Sequence, residues 1–468
     1  MKKSQLINII KTFSKKDVRE MLRWLQSPLH NLREDVVVLF QYITTDNTLN
    51  NNELLTKEAA YKVLMPKQKY DDAKMRQVMF FLLQAIEQFL AFQEWSKNEK
   101  QQQLALAQNY RHRKLDKPFL KTIQDLEKEQ LDAIQNDALH HELEHKIWEQ
   151  HSLFQVTQDR SKAVFLQEAN QSLDIYYIAQ KLKYFCNMHS HQSVFKIEYQ
   201  YSFLEPLLAQ IQQQQLLSIP AISVYYYIYH TLIEKENPEH FVALKQEISE
   251  RLTKFPASES REILLMGINY CIGRTNAGHI TYFEDALQLF QLGDKNNLLL
   301  EDGLVSRFTF RNAVSIGTRI KAFEWVEYFI NKYRKCLDEK YQGSFVQFNY
   351  ARLYFEKGEY KQAMKILAQT EYDDILIALN AKFMLLKMYY ELREYDVLES
   401  HLESMRAYVQ RKEVIGYHRN IYKNIIRFAK KLLNLNPTTH KIDALRHEIA
   451  NTNPMADREW FYRMLDAL

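Results

Sequence analysis

The sequence predicts an all-α protein built from stacked helical hairpins, and three observations lead to this prediction. Glycine and proline each occur only nine times in 468 residues, well below their usual shares of roughly 7% and 5%. Leu, Lys, Gln, Glu and Ala, which favour helices, fill much of the chain. The third observation is an internal repeat, because a fixed period of roughly 20 to 50 residues is typical of hairpins that bury their apolar faces against their neighbours.

The internal repeat consists of residues 348–356 and 383–391, which lie 35 positions apart. The two copies and the residues just after them agree in type at Phe348/Phe383, Arg352/Lys387, Tyr354/Tyr389, Phe355/Tyr390, Glu356/Glu391 and Tyr360/Tyr395. A period of this length corresponds to two helices and two turns. The repeat therefore predicts two successive helical hairpins near the C-terminal end.

We expect four regions along the chain. Residues 1–97 form a helical N-terminal unit, and residues 98–160 form a polar helical connector rich in Gln, His, Glu and Lys. Residues 161–437 form the hairpin repeats, with units of roughly 35 to 45 residues. Residues 438–468 form a C-terminal helix that caps the last hairpin.

Capping residues and prolines predict where several helices begin. Ser14 and Asn31 are each followed three positions later by a carboxylate, which is the pattern of an N-terminal capping box, and Thr56 precedes a short helix. Pro220 and Pro238 fit the first position of a helix, where the missing N–H group costs nothing. Residues 70–96 follow the apolar spacing of one long amphipathic helix.

The first copy of the repeat resembles the tetratricopeptide repeat. In that family a small residue and a tyrosine on the first helix face a Gly-x-Tyr turn and an alanine on the second helix, and these places fall on Ala351, Tyr354, Gly358, Tyr360 and Ala363. A small residue at such a contact lets two helices approach closely.

The second copy carries the resemblance less completely. Its corresponding places hold Leu386, Tyr389, Arg393, Tyr395 and Leu398, so the small residues and the glycine are absent. A third, weaker copy upstream places Phe323, Val326 and Ile330 where Tyr360, Ala363 and Leu367 stand. The resemblance implies that residues 220–435 fold as a right-handed α-solenoid of stacked hairpins.

Members of this family commonly bind peptide segments in a groove lined by their first helices, and the resemblance implies such a groove here. The candidate binding residues share one helix face in each copy, and they are Phe348, Arg352 and Phe355 in the first copy and Phe383, Lys387 and Tyr390 in the second. If the hairpins stack regularly, these residues form an aromatic and charged groove wall. The alternative is that the aromatic side chains pack between hairpins and that the charges are solvated.

One segment fits a catalytic pattern. His141, Glu142 and His145 match H-E-x-x-H, in which two histidines four apart bind zinc and the glutamate acts on the metal-bound water. A zinc-dependent hydrolase is therefore one alternative, with Glu168 as the nearest third ligand. Against it, Glu144 and Lys146 place charges where the zinc enzymes have uncharged residues, and the segment fits a solvated helix.

Charge and cysteine content limit the remaining functions. The formal net charge of +4, from 62 basic and 58 acidic residues, implies no strong field toward nucleic acid or anionic membranes. A second alternative is a nucleic-acid-linked regulator whose N-terminal helices contact nucleic acid while the repeats sense a ligand. A basic cluster of Arg427, Lys430 and Lys431 near the C-terminal end fits either a solvated helix face or a nucleic-acid contact. The cysteines Cys186, Cys271 and Cys336 lie far apart among apolar neighbours, which predicts buried free thiols in a reducing compartment.

The sequence shows no pattern typical of a signal peptide or a membrane span. The N-terminal residues lack a sustained apolar region, and the most apolar run, residues 78–92, is too short to span a bilayer. We therefore expect a cytoplasmic protein without signal peptide or membrane span. The sequence favours a non-enzymatic scaffold or adaptor, without catalytic residues, metal or cofactor, that binds a protein or peptide partner on its concave face.

Overall fold

The structure, a computed structural model, describes residues 1–51, 53–158, 165–195, 197–372, 374–411, 416–436 and 438–468. Within these ranges the chain is helical and contains no β-strand, which confirms the all-α prediction. None of the helices in these ranges combines the length and apolarity that a bilayer crossing requires. The predicted region boundaries at 160–161 and at 437 lie outside the described residues.

The chain divides into two compact units. The first comprises residues 1–133 and 142–173, and the second comprises residues 134–141 and 174–468. The first unit contains α1 (Gln5–Ile10), α2 (Lys15–Gln26), α3 (Glu34–Thr44), α4 (Asp46–Leu49), α5 (Lys57–Leu64), α6 (Asp72–Trp95), α7 (Glu99–His112) and α8 (Asp116–Leu131), together with parts of α9 (Ala138–Gln158) and α10 (Leu166–Phe195).

Two of the three predicted caps in the first unit are present. Ser14 and Asp17 form a reciprocal capping box at the start of α2, and the Thr56 hydroxyl accepts from the backbone at the start of α5. The cap predicted at Asn31 is wrong, because α3 begins after Arg33 with no side-chain cap. The Asn31 amide instead donates to the carbonyls of Leu25 and Arg33, both at 2.9 Å, so it stabilises the turn before the helix.

The second unit contains most of the region in which the sequence predicts repeats. Its helices are the remainder of α9 and α10, then α11 (Leu204–Gln213), α12 (Pro220–Ile233), α13 (Pro238–Arg251), α14 (Ala257–Asn276), α15 (Tyr282–Lys295), α16 (Arg307–Arg319), α17 (Phe323–Tyr333), α18 (Ser344–Glu356), α19 (Tyr360–Gln369), α20 (Ile375–Glu391), α21 (Tyr395–Arg411), α22 (Gly416–Leu433), α23 (Thr439–Asn451) and α24 (Arg458–Asp466). Pro220 and Pro238 begin α12 and α13 as predicted. From α12 to α21, each even-numbered helix packs against the helix that follows it, and α14, α16 and α18 also approach the next even-numbered helix or the one before it.

The same turn ends the first helix of four successive pairs. In each turn one residue has a positive φ, and the next residue's N–H donates to the carbonyl five positions earlier at 2.8 to 3.0 Å. This backbone arrangement is the Schellman motif, which satisfies carbonyls that the helix end leaves free. The residues with positive φ are Gly278 (98°), Lys321 (59°), Gly358 (79°) and Arg393 (60°). The turn therefore recurs even where glycine has been replaced.

Small residues occupy the close contacts predicted in the first copy of the repeat. Ala351 and Ala363 are fully buried in one apolar cluster with Phe348, while Tyr354 and Tyr360 pack at its edge. In the pair before it, a Cβ atom at Gly317 would lie 2.4 Å from the side chain of Val326. The first and second helices of these pairs thus approach closely because one partner lacks a bulky side chain.

Candidate peptide-binding site

The second unit contains a cavity of about 960 Å³, which we call the arginine cavity. Most of its walls are formed by residues of α14, α16, α18, α20, α22 and α24, and the rest by Phe283 of α15, Gly358, Tyr360 of α19 and residues 456–457. The even-numbered helices from α14 to α20 are the first helices of successive pairs. The resemblance described above implies a binding groove lined by these first helices. Sites of this size lie at the upper end of the usual range for ligand pockets.

Five of the six candidate binding residues line the arginine cavity. They are Phe348, Arg352 and Phe355 from α18 and Phe383 and Lys387 from α20. Three of the aromatic side chains are largely buried, with exposed fractions of 6% for Phe348, 8% for Phe383 and 9% for Tyr390. Tyr390 does not line the cavity but packs edge-on against Trp460, with ring centroids 5.7 Å apart. The structure thus brings the two predicted stripes to one cavity while packing part of their aromatic surface.

Arg352 lies in the wall of the cavity without an anionic partner. Its side chain is partly buried, and no hydrogen bond or ion pair within the described residues reaches its guanidinium. Burial lowers the pKa of Arg352 below its ordinary value, the charges of Glu356 and Asp457 raise it, and those of Arg311 and Arg319 lower it. A partly buried cation that has other cations nearby and forms no ion pair gains from a bound anion.

Lys387 is held among aromatic rings and a carboxylate. Its ammonium lies 4.6 Å from the ring centroid of Phe383, 5.7 Å from that of Phe355 and 5.9 Å from that of Trp460. The same nitrogen forms an ion pair with Asp457. Cations stabilised by ring faces in this way gain further when they are shielded from water. Lys387 is therefore already occupied by the segment that leads into α24.

Helix α24 covers the second stripe. Trp460, which is 4% exposed, packs edge-on against Phe383 and Tyr390, and its indole nitrogen donates to Glu391. The residue just before it, Glu459, pairs with Arg319 of α16 at 2.5 Å. The region predicted as one C-terminal helix thus contains two, α23 and α24, and side chains of α24 form one wall of the arginine cavity.

The cavity includes functional candidates that the sequence interpretation left out. Arg311, Ser315 and Arg319 of α16 line it, and a signal for them existed in the sequence. The 37-residue offset that relates Phe323 to Tyr360 also relates Arg311 to Phe348, Ser315 to Arg352 and Arg319 to Glu356. Extending the stripe to the third, weaker copy would have found them. Asp457, Glu459 and Trp460 had no such signal, because they follow no repeat.

The residues of the H-E-x-x-H segment have separate partners. His141 belongs to the second unit and lies 3.1 Å through Nε2 from the Asn136 side chain. Glu142 and His145 belong to the first unit, where Glu142 pairs with Lys146 at 2.5 Å and His145 donates through Nδ1 to the Ala169 carbonyl at 2.9 Å. Glu168, the suggested third ligand, is exposed on α10. The carboxylate that would act on a metal-bound water is thus engaged by a lysine.

The basic cluster and the cysteines also have defined surroundings. Lys430 pairs with Glu403, Lys431 pairs with Glu448 at 2.6 Å, and Arg427 donates to the Thr452 hydroxyl at 3.2 Å. Cys186 and Cys271 are buried free thiols, as predicted, whereas Cys336 is free but only partly buried. Burial raises the pKa of the Cys186 and Cys271 thiols, so neither has the low thiol pKa of a reactive cysteine.

Neither a comparison with protein-family models nor one with curated proteins finds a match to this chain.

Proposed function

We propose that this protein is a non-enzymatic scaffold or adaptor that binds a protein or peptide segment in the arginine cavity. We further propose that the helix pairs from α12 to α21 form a tetratricopeptide-like right-handed α-solenoid with the cavity on its concave side. The recurring Schellman turn and the contacts between alternate helices support this arrangement. The free cysteine thiols fit a reducing compartment, and we place the protein in the cytoplasm.

The observation that carries the proposal is the meeting of the two predicted stripes. Phe348, Arg352 and Phe355 come from one helix and Phe383 and Lys387 from another, yet all five line one cavity. The lining combines aromatic rings with arginines, one lysine, three carboxylates, hydroxyls and amides. This composition is typical of recognition surfaces, in which aromatic residues and arginine carry much of the binding energy.

Rigid display of these side chains supports binding over catalysis. Phe348 and Phe383 are packed into buried clusters, and Phe355 stacks on Tyr360 with ring centroids 5.5 Å apart. Because their conformations are already fixed, binding orders few side chains and loses little conformational entropy. The lining therefore offers a preorganised surface for an extended segment.

The experiment is affinity capture with the full-length chain, followed by quantitative mass spectrometry. Wild-type protein is compared with Arg352→Glu and Arg311→Glu, which reverse charges in the cavity wall, and with Lys361→Glu as a matched control. Lys361 is an exposed lysine on α19 that does not line the cavity. We expect one or more proteins that bind wild type and Lys361→Glu equally and that lose most of their enrichment with both arginine variants.

Circular dichroism melting of each variant separates loss of binding from loss of folding. Arg311 is exposed, so its substitution is expected to leave the melting temperature close to that of wild type. Enrichment that is the same for wild type, both arginine variants and the lysine control would contradict the proposed site.

A further inference from the structure

The charges around the arginine cavity are unevenly matched. Its lining contains five cations, Arg311, Arg319, Arg352, Lys387 and Arg463, and three anions, Glu356, Asp457 and Glu459. Three of the cations are paired: Lys387 with Asp457, Arg319 with Glu459, and Arg463 with Glu391. The C-terminal segment thus supplies two of the carboxylates that neutralise this cavity.

Arg352 and Arg311 remain without an anion. Within the described ranges neither guanidinium forms a salt bridge, although the charges of Glu356 and Asp457 act on Arg352 from further away. Glu356, one turn after Arg352 on α18, is exposed and forms no ion pair with it. The guanidinium group has a planar fork of donors that fits a carboxylate in a bidentate manner. Arg352 and Arg311 line the same cavity and their charges interact, and Arg311 also lies 5.9 Å from the ring centroid of Phe308. An anionic group that enters the cavity can therefore reach donors that no carboxylate of the chain bonds.

The segment that already lies against the cavity shows which chemistry fits its walls. Asp457 and Glu459 reach Lys387 and Arg319, while Trp460 packs on Phe383. An aromatic side chain flanked by carboxylates thus binds one wall within the chain itself. The cavity of about 960 Å³ is the space that remains beside this segment, so a second segment can enter without displacing it.

We propose that the arginine cavity takes an acidic peptide segment, one carboxylate of which pairs with Arg352 and Arg311. This inference rests on the proposed function and adds the chemical class of the partner. An aromatic residue of the peptide packs against Phe355, whose ring is only partly buried. The occupant is a peptide with carboxylate side chains, because the C-terminal segment binds the adjacent wall through the same groups.

The test is fluorescence anisotropy with the full-length protein and labelled model peptides. The probes are Glu-Glu-Trp-Glu-Glu and its counterparts with Gln or with Lys in place of every Glu. A fourth probe has phosphoserine in place of the two Glu residues next to Trp. We expect the Glu peptide to bind at least about ten-fold more tightly than the Gln peptide. Its affinity should fall as the salt concentration rises from about 0.05 to 0.5 M. Arg352→Gln and Arg311→Gln should each weaken it about ten-fold, whereas Lys361→Gln should not.

Several outcomes overturn the inference. Equal binding of the Glu and Gln peptides, preference for the Lys peptide, or binding of the phosphoserine peptide alone would each exclude carboxylate recognition. Absence of binding by every probe would also overturn it. These results do not contradict the proposed function as long as capture of a partner still depends on Arg352. If that capture also fails, both the proposed function and the acidic-peptide inference are contradicted. Melting curves of the two arginine variants show whether each remains folded. If Arg352→Gln does not fold, Arg311→Gln provides the decisive comparison.

Discussion

The indole nitrogen of Trp460 donates a hydrogen bond to Glu391 with 2.7 Å between Nε1 and Oε1, and this bond joins α24 to the end of α20. The same oxygen accepts from Arg463 at 2.9 Å, and the other carboxylate oxygen accepts from the Tyr360 hydroxyl. One carboxylate therefore connects three helices, α19, α20 and α24. Because the Glu391 side chain is largely buried, it has few water molecules to replace these donors.

Replacement of Glu391 should loosen the wall of the arginine cavity. We expect Glu391→Gln to lower the free energy of unfolding by about 1–3 kcal/mol, because donors that lose a charged acceptor in a buried site are poorly compensated. Glu399→Gln, at an exposed position on α21, should change it by less than about 0.5 kcal/mol. Urea denaturation followed by circular dichroism gives both values, and hydrogen exchange of the α24 amides locates the change. Equal effects of the two substitutions would contradict the role of Glu391.

The Schellman turns predict opposite effects for two substitutions at equivalent positions. Gly358→Ala forces a side chain into a left-handed conformation and should reduce the free energy of unfolding by about 1 kcal/mol. Arg393→Gly removes the same strain from an exposed position and should increase it by up to about 1 kcal/mol. Thermal and urea unfolding measure both changes.

A glycine outside these turns provides the control. Gly273 lies inside α14, where an added Cβ atom would meet nothing within 4 Å. Gly273→Ala should therefore stabilise the protein by roughly 0.5–1 kcal/mol, because alanine favours the helix. Destabilisation at both Gly358 and Gly273 would show that the alanine side chain, and not the turn conformation, causes the effect.

His401 should make stability depend on pH. Its Nε2 donates to the Lys382 carbonyl at 2.7 Å, and burial lowers the pKa of His401 below its ordinary value of 6.5. Below pH 6.5 the unfolded chain therefore binds a proton that the folded chain does not. The contribution of His401 to stability is complete above pH 6.5 and is lost as pH falls toward its folded pKa.

A pair of variants isolates the contribution of His401. His401→Gln keeps a donor for the Lys382 carbonyl but cannot titrate, so its free energy of unfolding should fall less steeply than that of wild type between pH 7.5 and 5.5, a range around the ordinary pKa of about 6.5. His440→Gln, at an exposed position, should retain the wild-type pH profile. Urea denaturation at several pH values tests this, and parallel profiles for wild type and His401→Gln would contradict it.

The Glu142 carboxylate should not serve as the base of a zinc site. Lys146 pairs with the Glu142 carboxylate at 2.5 Å, and a cation at this position opposes both a metal ion and a base that must accept a proton. We expect protein purified without chelator to contain far less than one zinc per chain by elemental analysis. His145→Ala and Glu142→Gln should leave the capture of partners unchanged. Stoichiometric zinc that disappears in His145→Ala would establish the metal site.

The parts of the fold that local signals specify could be predicted from the sequence. Ser14, Thr56, Pro220 and Pro238 each act within one turn of a helix, and their effects do not depend on the rest of the chain. The repeat likewise placed Phe348 and Arg352 on one face because helical spacing fixes relative direction. Asn31 shows the limit of such signals, since its side chain had an alternative partner in the backbone of the preceding turn.

The other wall of the cavity could not be predicted. Trp460 lies 69 positions after Glu391, and no periodicity relates the two residues. Their contact depends on where the last helix packs, which is decided by burial of Trp460 and Phe461 against residues of several helices. The turn after α20 could not be predicted for a different reason. Arg393 stands where the first copy has glycine, and a positive φ is costly but tolerated in residues other than glycine.

The Schellman turns also bear on how the chain folds. Each turn is completed by a hydrogen bond between residues five positions apart, so a helix pair can form without any contact that is distant in sequence. Chains dominated by such local contacts fold rapidly, because little loop entropy is lost before native contacts form. We therefore expect folding of the second unit to start at any of these pairs and to extend to its neighbours. Because α24 packs on a surface formed by α16 and α20, we expect the arginine cavity to form after those helix pairs.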